Sequence, residues 1–350
     1  MSDGEPLTID DYQLVNCIAT GNVSQVWEVL QLSTSQTFAM KLLLEEALED
    51  VEQRNTMKHE AKVGKSLQHP NIIQIFDSKV SKKQAYIIME LFKAANLKSM
   101  IRSSLLDVHV RMSKLAESVA GAYAYMHEKG WIHKDIKPEN ILMTRGSEIR
   151  VIDFSLASKP DSAMGRMVTR KSNIAIQGTR TYIAPELIKR ERLTPKADIY
   201  SLGITLYECL TGRPPFTGTN PNALLMSHIQ EKPVPPSDFH KNISPQADAL
   251  IARMLAKKPQ DRHDSMQEVF TEVRGINFFK VDPLEFDRQR QAAAAAEKSV
   301  TIDQRLDSRS DHEHTQKHGR SSSPPQMKKP QPAPPPPESK PARPPAQAPP

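Results

Sequence analysis

The first hundred positions carry short apolar runs, either alternating with polar residues or continuously β-branched, and this two-residue period predicts strands over 12–19, 23–30, 37–44, 72–76 and 85–91. Only 51–67 in that stretch has helical spacing. From Asn96 onward the period lengthens, and helices are predicted over 108–128, 185–189, 199–210, 222–230, 245–256 and 265–273. Ser244-Pro245 supplies a cap and a first-turn proline, while Gly130 and Gly212 stand where helices should stop. Asp282-Pro283-Leu284-Glu285 has the same opening grammar and starts a helix that runs into the alanines at 292–296. A small sheet-rich lobe therefore precedes a larger helical lobe, an α+β arrangement, and a hinge between two such lobes is where a small-molecule cleft is expected.

The last fifty residues break this pattern. Thirteen of the 28 prolines fall in 321–350, where runs such as 334–337 favour extended polyproline II over helix or ladder. The segments are accordingly an N-terminal extension (1–10), a folded domain (11–275), a flanking helix (276–300) and a disordered proline-rich basic tail (301–350). The net charge is +6, from 47 Lys+Arg and 41 Asp+Glu. Residues 321–350 alone hold four basic residues and one acidic, a +3 share, and no basic, aromatic-interleaved stripe for nucleic acid stands elsewhere. Cys17 and Cys209 cannot build a disulfide framework, and no apolar run approaches a membrane span, so a cytoplasmic chain with no membrane span is expected.

Chemistry concentrates in His133-Lys134-Asp135-Ile136-Lys137-Pro138-Glu139-Asn140, followed thirteen residues later by Asp153-Phe154-Ser155 and then by Ala184-Pro185-Glu186. His, Asp, Lys, Pro and Asn at this fixed spacing are too specific a pattern for coincidence. With these residues the sequence resembles the eukaryotic-type protein kinase family, as a bacterial-like or divergent member of its serine/threonine branch. The resemblance covers 12–270 and implies the bilobal kinase fold.

By resemblance, Asp135 accepts or orients the proton of a substrate hydroxyl, Lys137 steadies the γ-phosphate of ATP, and Asn140 and Asp153 hold Mg2+. Lys41, closing the strand Phe38-Ala39-Met40-Lys41, would grip the α- and β-phosphates with Glu60 as its ion-pair partner. Ile18, Gly21, Val26, Ala39 and Leu142 match the family's nucleotide walls, Met89 its gatekeeper, and the backbone of Glu90 and Phe92 its hinge partners. Asp198 resembles the brace of the catalytic loop, Arg262 the partner of Glu186, and Thr179 a neighbour of Asp135 and Lys137.

Three departures stand out. The phosphate loop, Ala19-Thr20-Gly21-Asn22-Val23-Ser24, keeps one glycine of three, which implies weaker nucleotide binding. Ser155 replaces the glycine after Asp-Phe, at a cost of order 1 kcal/mol if that position needs positive φ. Lys134 replaces arginine, and Thr169 and Ser172, with Ala175 nearby, are the acceptors by position for activation-segment phosphorylation. Two function classes follow: a protein serine/threonine kinase acting on protein hydroxyls, or a pseudokinase scaffold whose tail recruits SH3-like or WW-like partners.

Overall fold

The computed structural model describes residues 7–160 and 180–295. Its N-terminal lobe is an antiparallel six-stranded sheet. The strands are β1 (Thr8–Ile9), β2 (Tyr12–Thr20), β3 (Ser24–Gln31), β4 (Thr37–Leu43), β5 (Ile75–Val80) and β6 (Ala85–Met89), in the order β1-β2-β3-β4-β6-β5. Alternation decides the two faces: Tyr12, Leu14, Val29, Met40, Tyr86 and Ile88 close one apolar cluster, while Leu43, Ile75, Ala85 and Ile87 belong to the main core.

Two helices follow β4: α1 (Glu45–Leu48) and α2 (Val51–Lys65), the latter opened by Asp50, whose carboxylate accepts the Glu52 amide at 2.7 Å. Helix α2 lies against β5 and β6. Gly64 permits that approach, because a Cβ there would stand 2.2 Å from the Ile75 side chain.

After the hinge come β7 (Ala95–Asn96), α3 (Leu97–Ser103), α4 (Leu105–Val110), α5 (Met112–Glu128), β8 (Ile141–Met143) and β9 (Ile149–Val151), with β7-β8-β9 forming a second antiparallel sheet. Past the undescribed stretch run α6 (Pro185–Ile188), α7 (Lys196–Thr211), α8 (Pro221–Gln230), α9 (Pro236–Phe239), α10 (Pro245–Met254) and α11 (Met266–Gly275). Helix α7 is buried on every side from Ala197 to Leu210, as expected of a helix apolar all round that other helices surround. It ends at Gly212, whose φ of +78° is the left-handed cap that a side chain would resist. The result is the bilobal α+β fold expected from the sequence.

Beyond α11 the chain returns over the helical lobe, with Ser244 N–H bonded to Phe278 O at 3.0 Å and Lys280 N–H to Asn242 O at 2.8 Å. Asp282 then caps a helix over 283–295, accepting the amides of Leu284 and Glu285 at 3.0 and 3.2 Å. The two lobes belong to one compact unit that runs to Arg290. Among the described residues, no helix is long and apolar enough to cross a membrane.

Two predicted elements differ. The strand expected over 72–76 begins at Ile75, because Ile72 and Ile73 turn toward the helical lobe, where Ile73 N–H bonds Val151 O at 3.0 Å. The helix expected over 108–128 is broken at Arg111, whose guanidinium bonds the Arg145 carbonyl at 3.0 and 3.1 Å.

Candidate functional site

A cleft of about 600 Å3 opens between the lobes, within the range of small-molecule sites. It gathers side chains that lie far apart in sequence: Ile18, Gly21 and Val26 from β2–β3, Ala39 and Lys41 from β4, Met89, Glu90 and Phe92 at the hinge, Leu142 from β8, and Glu60, Asn140 and Asp153. Antiparallel register explains part of this, since Lys41 pairs with both Val26 and Ile87, and Ala39 with Met89. Asp135 and Lys137 are not among the lining residues. They stand just beyond, reached through Asn140.

Lys41 Nζ lies 2.8 and 2.7 Å from the two Glu60 carboxylate oxygens, bringing strand and helix together at one charge. Burial alone would strip the ammonium of its proton, but Glu60 and then Asp153 outweigh it and hold the Lys41 pKa above its ordinary value. Burial likewise pushes the Asp153 carboxyl up. Lys41, hydrogen bonds from Ser155 and the nearby His133 reverse that, so Asp153 ionises below the usual carboxylate range. The cleft therefore holds a fixed cation facing a fixed anion.

The loop 133–140 is pinned from below. Asp198, at the first turn of α7, accepts the amides of His133 and Lys134 at 2.7 and 2.9 Å and lies 2.9 Å from His127 Nε2. Burial raises its pKa, yet His127, His133 and the amide bonds lower it further and keep the carboxylate charged. His133 is buried edge-on to both Tyr123 and Phe154, at ring separations of 5.3 and 6.1 Å. On this floor Lys137 Nζ sits 2.5 Å from Asp135 Oδ2, and Asn140 Nδ2 donates to the Asp135 carbonyl at 2.9 Å and to Oδ2 at 3.2 Å. With Nδ2 committed, the amide's ligand atom for a hard cation is Oδ1.

Backbone strain falls on two members of this machinery. Lys134 and Asp153 adopt φ of +71° and +67°, left-handed values that cost a non-glycine residue about 1–3 kcal/mol. Ser155 has no such φ, so the steric penalty expected of it does not arise. Its amide instead donates to Asp153 Oδ1 at 3.2 Å. Lys134 is largely buried, and its Nζ has no hydrogen-bond partner among the described residues. Burial lowers its pKa, against a partial pull upward from Asp198. Thr169, Ser172, Ala175 and Thr179 lie outside the described residues.

Glu186 and Arg262 form a buried bidentate pair at 2.8 and 2.9 Å, joining α6 to the turn before α11. Sequence reasoning missed Glu139 and Asn96, which line the cleft, and His127, which steadies Asp198. Glu139 was within reach, being flanked by Pro138 and Asn140. Among the described residues no group of three or more His, Cys, Asp or Glu could hold a metal by itself, so a cation here would take Asp153, Asn140 and oxygens of its own ligand. Magnesium is ordinarily held this way, by one or two carboxylates plus phosphates.

A protein kinase domain model matches residues 12–273. A probable serine/threonine-protein kinase of Corynebacterium efficiens is 31% identical over 310 residues, covering 85% of this chain and 46% of the relative. The serine/threonine-protein kinase PknB of Mycolicibacterium smegmatis and that of Mycobacterium tuberculosis are each 31% identical over 264 residues, 74% of this chain and 42% of theirs. The chain thus spans less than half the length of these curated relatives.

Proposed function

Because the chain belongs to the protein kinase domain family, we propose that it transfers the γ-phosphoryl group of ATP to serine and threonine hydroxyls of protein substrates, with Mg2+ as the divalent ion. The observation that carries this reading is Lys41, clasped by Glu60 and facing Asp153 across the cleft. Bound there, Mg2+ would neutralise phosphate charge and leave the terminal phosphorus open to attack.

The chain's own residues supply the rest. Lys41 holds its charge against the α- and β-phosphates, and Glu60 fixes where that charge sits. Asp153 and Asn140 would hold the metal. Asp135 takes the hydroxyl proton at Oδ2, oriented by the Asn140 amide, while Lys137, 2.5 Å away, offers its cation to the transferring phosphate. Apolar walls from Ile18, Val26, Ala39 and Leu142 exclude water around the base, and Glu90 and Phe92 present hinge backbone to it.

The test is magnesium-dependent incorporation of label from γ-labelled ATP into the protein itself and into a generic basic protein, followed by phosphoamino-acid analysis. Phosphoserine or phosphothreonine, lost in Lys41→Met, is the expected result. Absence of any labelled protein from the wild-type chain would overturn the reading.

A further inference from the structure

Arg150 lies in β9, three residues before Asp153, and nothing in the proposed chemistry uses it. Its side chain turns away from the metal site toward the hinge, where Nε stands 3.1 and 3.0 Å from the two oxygens of Glu90 and a terminal nitrogen 2.8 Å from Oε1. The guanidinium carbon is also 4.7 Å from the centre of the Phe92 ring. One side chain thus contacts two of the hinge residues that line the cleft.

That segment has few other ties to the fold, the Lys93 ammonium 2.8 Å from Glu28 Oε1 among them. Strand β6 ends at Met89 and β7 begins at Ala95, so residues 90–94 lie outside both ladders. Their backbone is tied by Glu90 N–H to Gln74 O at 2.9 Å and by Ala94 N–H to Phe92 O at 3.0 Å. On the far side, Arg150 sits in a rigid frame: Val151 N–H bonds Asn71 O at 2.8 Å, Ile73 N–H bonds Val151 O at 3.0 Å, and Asn71 Nδ2 bonds Ile149 O at 3.2 Å. A planar fork that bonds a carboxylate at several points and also stacks on an aromatic ring fixes direction as well as distance, which a lysine's point charge cannot do.

We propose that Arg150 is a positioning residue for the nucleotide: through Glu90 and Phe92 it bolts the hinge backbone to the strand that delivers Asp153, setting where the base docks relative to the metal side. The inference rests on the nucleotide reading of the cleft. Both side chains are about one-quarter exposed, at 21% and 26%, so the pair contributes modestly to folding. Its weight falls on placement.

Calorimetric titration of Mg-ATP and steady-state kinetics on Arg150→Met, Arg150→Lys, Glu90→Gln and the Arg150→Met/Glu90→Gln double variant test it. Arg150→Met should weaken nucleotide binding about tenfold, or ~1.4 kcal/mol, raising KM for ATP in step while kcat stays within about twofold. Arg150→Lys should keep most of that loss, and it also serves as the readout should the methionine variant fail to fold. The double variant should be no worse than Arg150→Met alone, because both changes remove one linkage. A wild-type chain that binds Mg-ATP while Arg150→Met and Arg150→Lys bind it equally well would overturn the role of Arg150 alone, as would additive losses in the double variant. A wild-type chain that binds no nucleotide would overturn the underlying reading as well.

Discussion

Replacing Arg262 with methionine keeps most of the apolar stem and removes a guanidinium that is fully buried, with Glu186 beside it only 1% exposed. The Glu186 carboxylate then has no counter-ion, a situation that costs roughly 3–5 kcal/mol when one partner of a buried pair is removed. Three carbonyls, those of Ala256, Lys196 and Lys257, also lose donors at 2.7, 2.8 and 3.3 Å. The local charge adds to this, since the guanidinium stacks 4.8 Å from Tyr200. We therefore expect Arg262→Met to lower the unfolding free energy by about 4 kcal/mol, a large share of the 5–15 kcal/mol typical of a domain. Glu186→Gln, which leaves the cation its three carbonyl acceptors, should cost about 3 kcal/mol. The double variant should cost about as much as the worse single one, because both changes abolish the same interaction. Urea denaturation with matched m-values gives the numbers directly. An Arg262→Met variant within about 1 kcal/mol of wild type would refute the claim that this pair holds α6 to the helical lobe.

Other consequences follow from groups the fold holds in unusual states. His109, edge-on to His240 with Nε2 3.0 Å from the Leu210 carbonyl, has a pKa pulled from 6.5 to about 4 by burial and then by His240. The unfolded chain binds more protons than the folded one between those values, so stability present above pH 6.5 should fall by about 3 kcal/mol toward pH 4, and thermal melts of His109→Phe should show a flatter slope. Asp198→Asn weakens the acceptor under the His133 and Lys134 amides, and turnover should drop roughly a hundredfold, about 2.7 kcal/mol, with nucleotide affinity unchanged in a binding titration. Ser155→Gly should not raise turnover, because the left-handed φ belongs to Asp153, and should lower stability by up to ~1 kcal/mol through unfolded-state entropy, read from the denaturation midpoint.

The strands over 12–43 were legible because a half-buried sheet face imposes alternation, whereas Lys41 gained its role only from the family pattern. Helices opened by Ser244 and Asp282 announced themselves through caps whose bonds the structure contains. The three strands β7, β8 and β9 did not, being two or three residues long, with β7 paired to β8 across nearly fifty positions. Ile72 and Ile73 misled for a related reason: their burial comes from Val151 in the helical lobe, which local periodicity does not encode. The Lys41–Glu60 contact was legible only through the family resemblance, and the structure contains it at 2.8 and 2.7 Å. The Arg150–Glu90 contact joins residues sixty positions apart without a motif, and only the fold reveals it.

In the proposed mechanism Asp135 acts on the hydroxyl while the nucleotide is held elsewhere in the cleft. Single-turnover phosphotransfer from Mg-ATP by Asp135→Asn, measured beside its nucleotide affinity, tests this most directly. The near-isosteric variant should bind Mg-ATP within about threefold of wild type and transfer phosphate at least about a thousandfold more slowly, some 4 kcal/mol in the barrier. Phosphotransfer at the wild-type rate in that variant would contradict it.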